Sequence, residues 1–220
     1  IPAYVLAFVF VGLLDFAGPV QSALREVFGP MRLPRVRSTA GVITVLVLVF
    51  YPYVYLLART AFLAQGKGLM EAARVLGLSP LQAFWRVALP MARPAIGAGI
   101  ALALMETLAD FGAVSIFNFD TFTTAIYQQF ELEFSNANAA MLSAVLLAMC
   151  LAMLWLELRV RGKARHVRIG QGVARRAQPV RLRGWAVLAQ LFCVGLAVLG
   201  SGIPLAMLGY WLSVGSSAAF

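Results

Sequence analysis

Charge is what this sequence is short of. Only 12% of its 220 residues are charged, against about 25% in soluble domains. Hydrophobic residues make up 61%, and the mean hydropathy is +0.85. That balance excludes an ordinary water-soluble globular domain. Acidic residues are scarcer than basic ones, 9 against 18, which gives a net charge of +9 and a pI near 10.4. In a soluble protein such a surplus suggests nucleic acid. Here the basic residues cluster beside apolar runs, the pattern that orients membrane proteins and meets anionic lipid, so no nucleic-acid partner is expected. There are two cysteines, Cys150 and Cys193, both inside apolar runs, where they read as small hydrophobes. The one histidine, His166, lies in a basic loop. No spacing of Cys, His, Asp or Glu suits a metal, and no Ser-His-Asp set is present. No glycine loop of the kind that cradles nucleotide phosphates occurs either. The expectation is a chain that is not an enzyme, with no catalytic residues, no metal ligands and no cofactor of its own.

What the sequence does have is long apolar runs. A span needs about 20 residues. Gly41–Ala58, about Ala95–Val114, Ala139–Leu156 and Trp185–Leu212 qualify, and Ile1–Leu14 reads as the end of another. The fold class expected is all-α, a polytopic transmembrane helical bundle with about five membrane-embedded segments, because lipid leaves backbone groups no partners but each other. Pro52 is expected to kink its span or end the regular part. Tyr51, Tyr53 and Tyr55 fit an interfacial aromatic belt. The last run would be about 42 Å long if fully helical, and Gly200-Ser201-Gly202-Ile203-Pro204 is expected to break it. Val20–Phe28 reads as a short surface helix. The chain begins without Met or a charged leader and stops after an apolar run, which suggests an internal piece of a longer protein.

Between the second and third runs lies EAARVLGLSPLQAFWRVALPMARP, Glu71 to Pro94. Gly66-Lys67-Gly68 reads as a flexible turn, and Leu69–Leu76 as a helix of good helix formers. Gly77 stands where a left-handed cap would close it. Ser79-Pro80 restarts a helix with a hydroxyl N-cap and proline at the first helical position. That second short helix is expected over Leu81–Leu89, with Pro90 and Pro94 redirecting the chain. Leu69, Ala72, Ala73 and Leu76 would share one face, with Lys67, Glu71 and Arg74 off it. Such a segment serves either as a docking element or as an amphipathic connector on the membrane surface.

The order Glu71-Ala72-Ala73, three residues, Gly77, nine residues, Val87, one residue, Leu89-Pro90 resembles the cytoplasmic coupling loop of binding-protein-dependent ABC importer permeases. Val87 replaces the usual isoleucine. Ile1-Pro2-Ala3-Tyr4-Val5-Leu6-Ala7, Tyr51-Pro52-Tyr53-Val54-Tyr55 and Met105-Glu106-Thr107-Leu108-Ala109-Asp110-Phe111-Gly112 resemble the ferric-iron permeases of that family, over roughly residues 1–161. The resemblance implies that Glu71, Ala72, Ala73, Gly77, Leu89 and Pro90 dock a separate ATPase subunit, a dimer that carries the ATP. It also implies a periplasmic or lipoprotein binding protein as donor, a bacterial inner membrane location and ferric iron as substrate. Related importers carry thiamine, polyamines, sulfate or phosphonate. On this reading residues 1–161 are the C-terminal part of a first permease domain, with the coupling loop at 66–94. Residues 162–184 are a basic cytoplasmic linker, and 185–220 begin a second half.

Orientation follows from charge without the family. The Glu157–Gly184 loop holds Arg159, Arg161, Lys163, Arg165, Arg168, Arg175, Arg176, Arg181 and Arg183, while Ser115–Asn138 has no Lys or Arg. The first is therefore cytoplasmic and the second external, which puts Arg59–Pro94 in the cytoplasm. The Asp15–Ala40 loop fits poorly, being external with Arg25, Arg32, Arg35 and Arg37. Glu106 and Asp110 are expected as an i, i+4 pair on one face of a span. A carboxylate at that depth costs at least about 2.5 kcal/mol, so it faces a bundle interior or a water path. The pair is a candidate lining for a cation's route, or a structural pair bonded to neighbouring helices, or, for Asp110, a group at the external interface. If the two carried protons instead, the chain would be an ion-coupled secondary transporter.

Overall fold

The computed structural model describes residues 1–29, 35–161 and 184–217. Every regular element among them is helical. In chain order these are α1 (Ala3–Leu14), α2 (Pro19–Phe28), α3 (Thr39–Ala64), α4 (Gly66–Val75), α5 (Pro80–Ala83) and α6 (Leu89–Ala109). There follow α7 (Gly112–Ile116), α8 (Phe122–Tyr127), α9 (Asn136–Arg161), α10 (Trp185–Ala197) and α11 (Ile203–Ser217), with π turns at Phe84–Ala88, Gln128–Leu132 and Val198–Gly202. Five stretches are long and apolar enough to cross a membrane: Ala3–Phe28, Thr39–Ala64, Pro80–Ala109, Asn136–Arg159 and Trp185–Ser213. Seven of the basic loop's nine basic residues (Lys163, Arg165, Arg168, Arg175, Arg176, Arg181 and Arg183), with His166, fall in 162–183, outside the described residues.

Three sequence expectations are corrected. Of the two effects expected of Pro52, an end to the regular helix is excluded, since α3 continues to Ala64. Pro90 and Pro94 do not redirect the chain, because α5 continues into α6 through a π turn at Phe84–Ala88. Nor does the Gly200–Pro204 stretch break the last run, since another π turn, Val198–Gly202, joins α10 to α11. The cause is common to both. A proline lacks the N–H for its turn, and its ring collides with the carbonyl four residues back. The widened turn shifts the register just before it, as Leu89 N–H bonds Phe84 O and Ile203 N–H bonds Val198 O. Each proline follows one residue after that bond.

The chain forms two compact units. The first holds α1, α2, the start of α3, α7, α8, the start of α9, α10 and α11. Its core is Leu6, Ala7, Val9, Val45, Ala113, Val114 and Phe117, all buried. A Cβ on Gly112 would stand 2.8 Å from Tyr4 Cβ, so glycine is what lets α7 close on α1. Trp211 of α11 packs edge-on against Phe8, with ring centroids 5.2 Å apart. The second unit holds the rest of α3, α4, α5 and α6 to Glu106, with the end of α9. Small residues build its interior: Ala73, Ala83, Ala88, Ala92, Gly99 and Ala101 are buried. A Cβ on Gly99 would lie 2.7 Å from Val54 Cα, so α3 and α6 meet backbone to backbone there, as small residues permit in membranes. Gly97, two residues earlier, faces open space.

In the first unit two arginines of the Asp15–Ala40 stretch are engaged internally. Arg37 Nε donates to Asp15 Oδ2 at 3.2 Å, and its Nη1 donates to Ile116 O. Arg25 lies 4.2 Å over the Phe16 ring and donates to the Gln21 and Phe16 carbonyls.

Candidate coupling site

The bend between α4 and α5 is fixed by its own backbone. The Gly66-Lys67-Gly68 stretch is not a loose turn but the first turn of α4, reached from α3 through Gln65 alone, which keeps helical angles. At the other end Gly77 adopts φ +83°, the left-handed value that favours glycine. Its N–H bonds Arg74 O at 2.9 Å, and Leu78 N–H bonds Ala73 O at 3.1 Å. This crossed pair is a Schellman closure. Two residues on, Ser79 restarts the helix. Ser79 Oγ accepts from Gln82 N–H, while Ser79 N–H donates to Gln82 Oε1, a capping box with Pro80 at the first helical position. Every sharp feature of the bend therefore has a local cause.

Side chains divide the bend into a buried and an open side. Ala73 is buried, and so are Ala83 and Ala88 across from it. Glu71, Ala72, Arg74 and Gly77 are exposed, while Leu89 and Pro90 are half-buried at the root of α6. One expectation fails here: Leu76 does not join Ala73 inside but is 81% exposed, with Val75 at 87% and Leu81 at 68%. Helix α4 ends at Val75, so Leu76 has already left the helical face it would have shared. The result is an exposed apolar tip, Val75 and Leu76 with Leu81 five residues on, beside the exposed Glu71 and Arg74.

Two contacts that sequence reasoning missed hold the roots of the bend. Gln65 Nε2 donates to Ala88 O at 2.9 Å, across 23 residues. Phe62 of α3 stacks with Phe84 in the π turn, ring centroids 5.9 Å apart. A lone glutamine closing a long apolar run was the one available signal.

The second candidate pair comes apart. Helix α6 ends at Ala109, so Asp110 stands outside it while Glu106 remains on it, exposed. Asp110 Oδ1 accepts from Ala113 N–H at 2.9 Å and Val114 N–H at 3.3 Å, which caps α7. Thr123 Oγ1 donates to Asp110 O at 2.7 Å. The i, i+4 pairing on one helical face is thus replaced by a capped break. Among the described residues no group of three or more His, Cys, Asp or Glu could hold a metal ion.

Comparison with known proteins places these features in a wider group. Residues 1–165 match the model of the binding-protein-dependent transport system inner membrane component family. The chain is 40% identical over 184 residues to Fe(3+)-transport system permease protein FbpB 2 of Haemophilus influenzae, covering 83% of this chain and 36% of that protein. It is 30% identical over 159 residues to the putative 2-aminoethylphosphonate transport system permease protein PhnU of Salmonella paratyphi A, 70% of this chain and 55% of that one. A probable sulfate transport system permease protein, cysT of Chlorokybus atmophyticus, is 31% identical over 124 residues, 54% of this chain and 43% of that protein. The chain spans about a third of the length of the first relative and just over half of the second.

Proposed function

This chain belongs to the binding-protein-dependent transport system inner membrane component family, a multi-pass inner-membrane group, and from that premise we propose that it is the membrane-spanning part of an ATP-driven importer. A substrate-loaded binding protein docks outside. A separate ATPase dimer docks on the bend between α4 and α5 and supplies the ATP chemistry. The observation that carries the reading is the bend itself: a tip of Val75, Leu76 and Leu81, exposed on a locally rigid turn, on the side that loop charge assigns to the cytoplasm. Glu71, Ala72 and Gly77 lie open beside it, and Ala73, Leu89 and Pro90 position it from within. Nucleotide-driven closure of the ATPase pair displaces the bend, and the spans switch between outward and inward access, a two-state motion biased by nucleotide.

The substrate we propose is ferric iron, on the strength of the relative named for Fe(3+) transport. Relatives named for 2-aminoethylphosphonate and sulfate make those the alternatives to assay. Residues 1–161 would then be the C-terminal part of one permease domain, 162–184 a cytoplasmic linker and 185–220 the start of a second half. The test is co-purification of the full-length protein with its ATPase subunit, then uptake in proteoliposomes over a panel of ferric iron, aminoethylphosphonate and sulfate with the matching binding proteins. Uptake of ferric iron that needs ATP supports the reading. Uptake that follows a proton gradient with no ATPase present overturns it.

A further inference from the structure

The coupling bend is rooted twice, and one side chain joins the roots. Its first root is Gln65, the sole residue between α3 and α4. Its second is the π turn Phe84–Ala88, where the chain enters α6. At that second root the backbone ladder is thin. Pro90 and Pro94 have no N–H to donate, and the π turn has shifted the register ahead of them. A rod with a thinned ladder at its base bends there before it transmits load. Gln65 Nε2 donates to Ala88 O, the last carbonyl of the π turn, within a part-buried setting. Phe62 stacks on Phe84, the first residue of the same turn.

We propose that Gln65 is a positioning residue for coupling: by tying the end of α3 to the π turn, it makes α3 and α6 respond as one when the bend is moved. This rests on the docking reading above. Without the tie, force on the bend is absorbed by flexing at Phe84–Ala88, so ATP is hydrolysed with less switching of the spans. Gln65 touches neither nucleotide nor substrate, and its role is exercised through the carbonyl it holds. The chemistry demanded of position 65 is an N–H donor of sufficient reach, because the group it meets is a carbonyl oxygen and accepts only.

The test uses the full-length protein assembled with its ATPase subunits in proteoliposomes, with iron(III)-loaded binding protein as the probe. Three variants are compared: Gln65→Leu removes the donor at similar bulk, Gln65→Glu keeps the shape but turns the donor into an acceptor, and Gln65→Lys restores an N–H donor. All three are expected to co-purify with the ATPase, since Gln65 lies away from the exposed tip. For Gln65→Leu and Gln65→Glu the iron moved per ATP hydrolysed should fall roughly fivefold, the scale of one lost hydrogen bond, with ATPase turnover retained. Gln65→Lys should recover most of that ratio. A purely structural role would lower transport and hydrolysis together and leave their ratio unchanged. An unchanged ratio in Gln65→Leu, or no recovery in Gln65→Lys, overturns the proposal while leaving docking intact. A wild-type protein that fails to bind the ATPase at all overturns the docking reading instead.

Discussion

Gly77 shows how much a single residue can settle. Its φ of +83° is a backbone requirement, and a Cβ added there would meet nothing within 4 Å. The penalty for a side chain is therefore conformational, about 1–2 kcal/mol for a β-branched residue, and small for asparagine, which tolerates that region. Gly77→Val should open the Schellman closure and abolish capture of the ATPase subunit, whereas Gly77→Asn should stay near wild type in a pull-down. Equal capture by both would mean that the bend's conformation is irrelevant to docking. Asp110 allows a similar separation. Asparagine can also cap a helix, so Asp110→Asn should preserve α7 while removing the charge. Asp110→Ala should cost about 1 kcal/mol in thermal stability through the lost cap. Full uptake by Asp110→Asn assigns the residue to structure, and loss of uptake in a stably folded Asp110→Asn assigns the charge to the substrate's route. The sequence displayed Gly77, Ser79 and Pro80 openly, because caps are local and each residue type has one dominant reason to be there. It did not display the break at Asp110. An aspartate four residues after Glu106 continues a helical pattern as readily as it ends one, and only the two amides it accepts decide the matter.

At the scale of the element, the spans were legible and their continuity was not. Apolar length located α3, α9 and the α10–α11 run within a few residues. Proline then misled, because its local effect is to break a helix, while a single widened turn restores the path at Pro90 and at Pro204. Nothing in Phe84-Trp85-Arg86-Val87-Ala88 marks a π turn in advance. Pairwise helix contacts were legible only in outline. Gly97 and Gly99 look alike in sequence, yet Gly99 abuts Val54 Cα and Gly97 abuts nothing. Gly99→Ala should therefore destabilise the protein by about 1–3 kcal/mol through overpacking against backbone that cannot yield, and Gly97→Ala should be near neutral. Thermal unfolding in detergent, followed by tryptophan fluorescence, measures both. Equal melting temperatures for the two variants would contradict the α3–α6 crossing.

For the whole molecule the governing fact is the asymmetry of loop charge, with nine basic residues in Glu157–Gly184 and none in Ser115–Asn138. By the positive-inside rule it argues for the bend lying inside the cell, independently of any relative. Partner and substrate were never readable from composition, because the side chains proposed to meet a partner are common residues, Val75, Leu76 and Leu81, whose meaning lies in their exposure. The most direct test is to place a thiol on that tip, Leu76→Cys, in a background with Cys150→Ala and Cys193→Ala. A membrane-impermeant maleimide should label inside-out vesicles but not intact spheroplasts, and bound ATPase subunit should protect the site. Labelling from the outside of spheroplasts, or labelling unaffected by the ATPase subunit, would contradict the account.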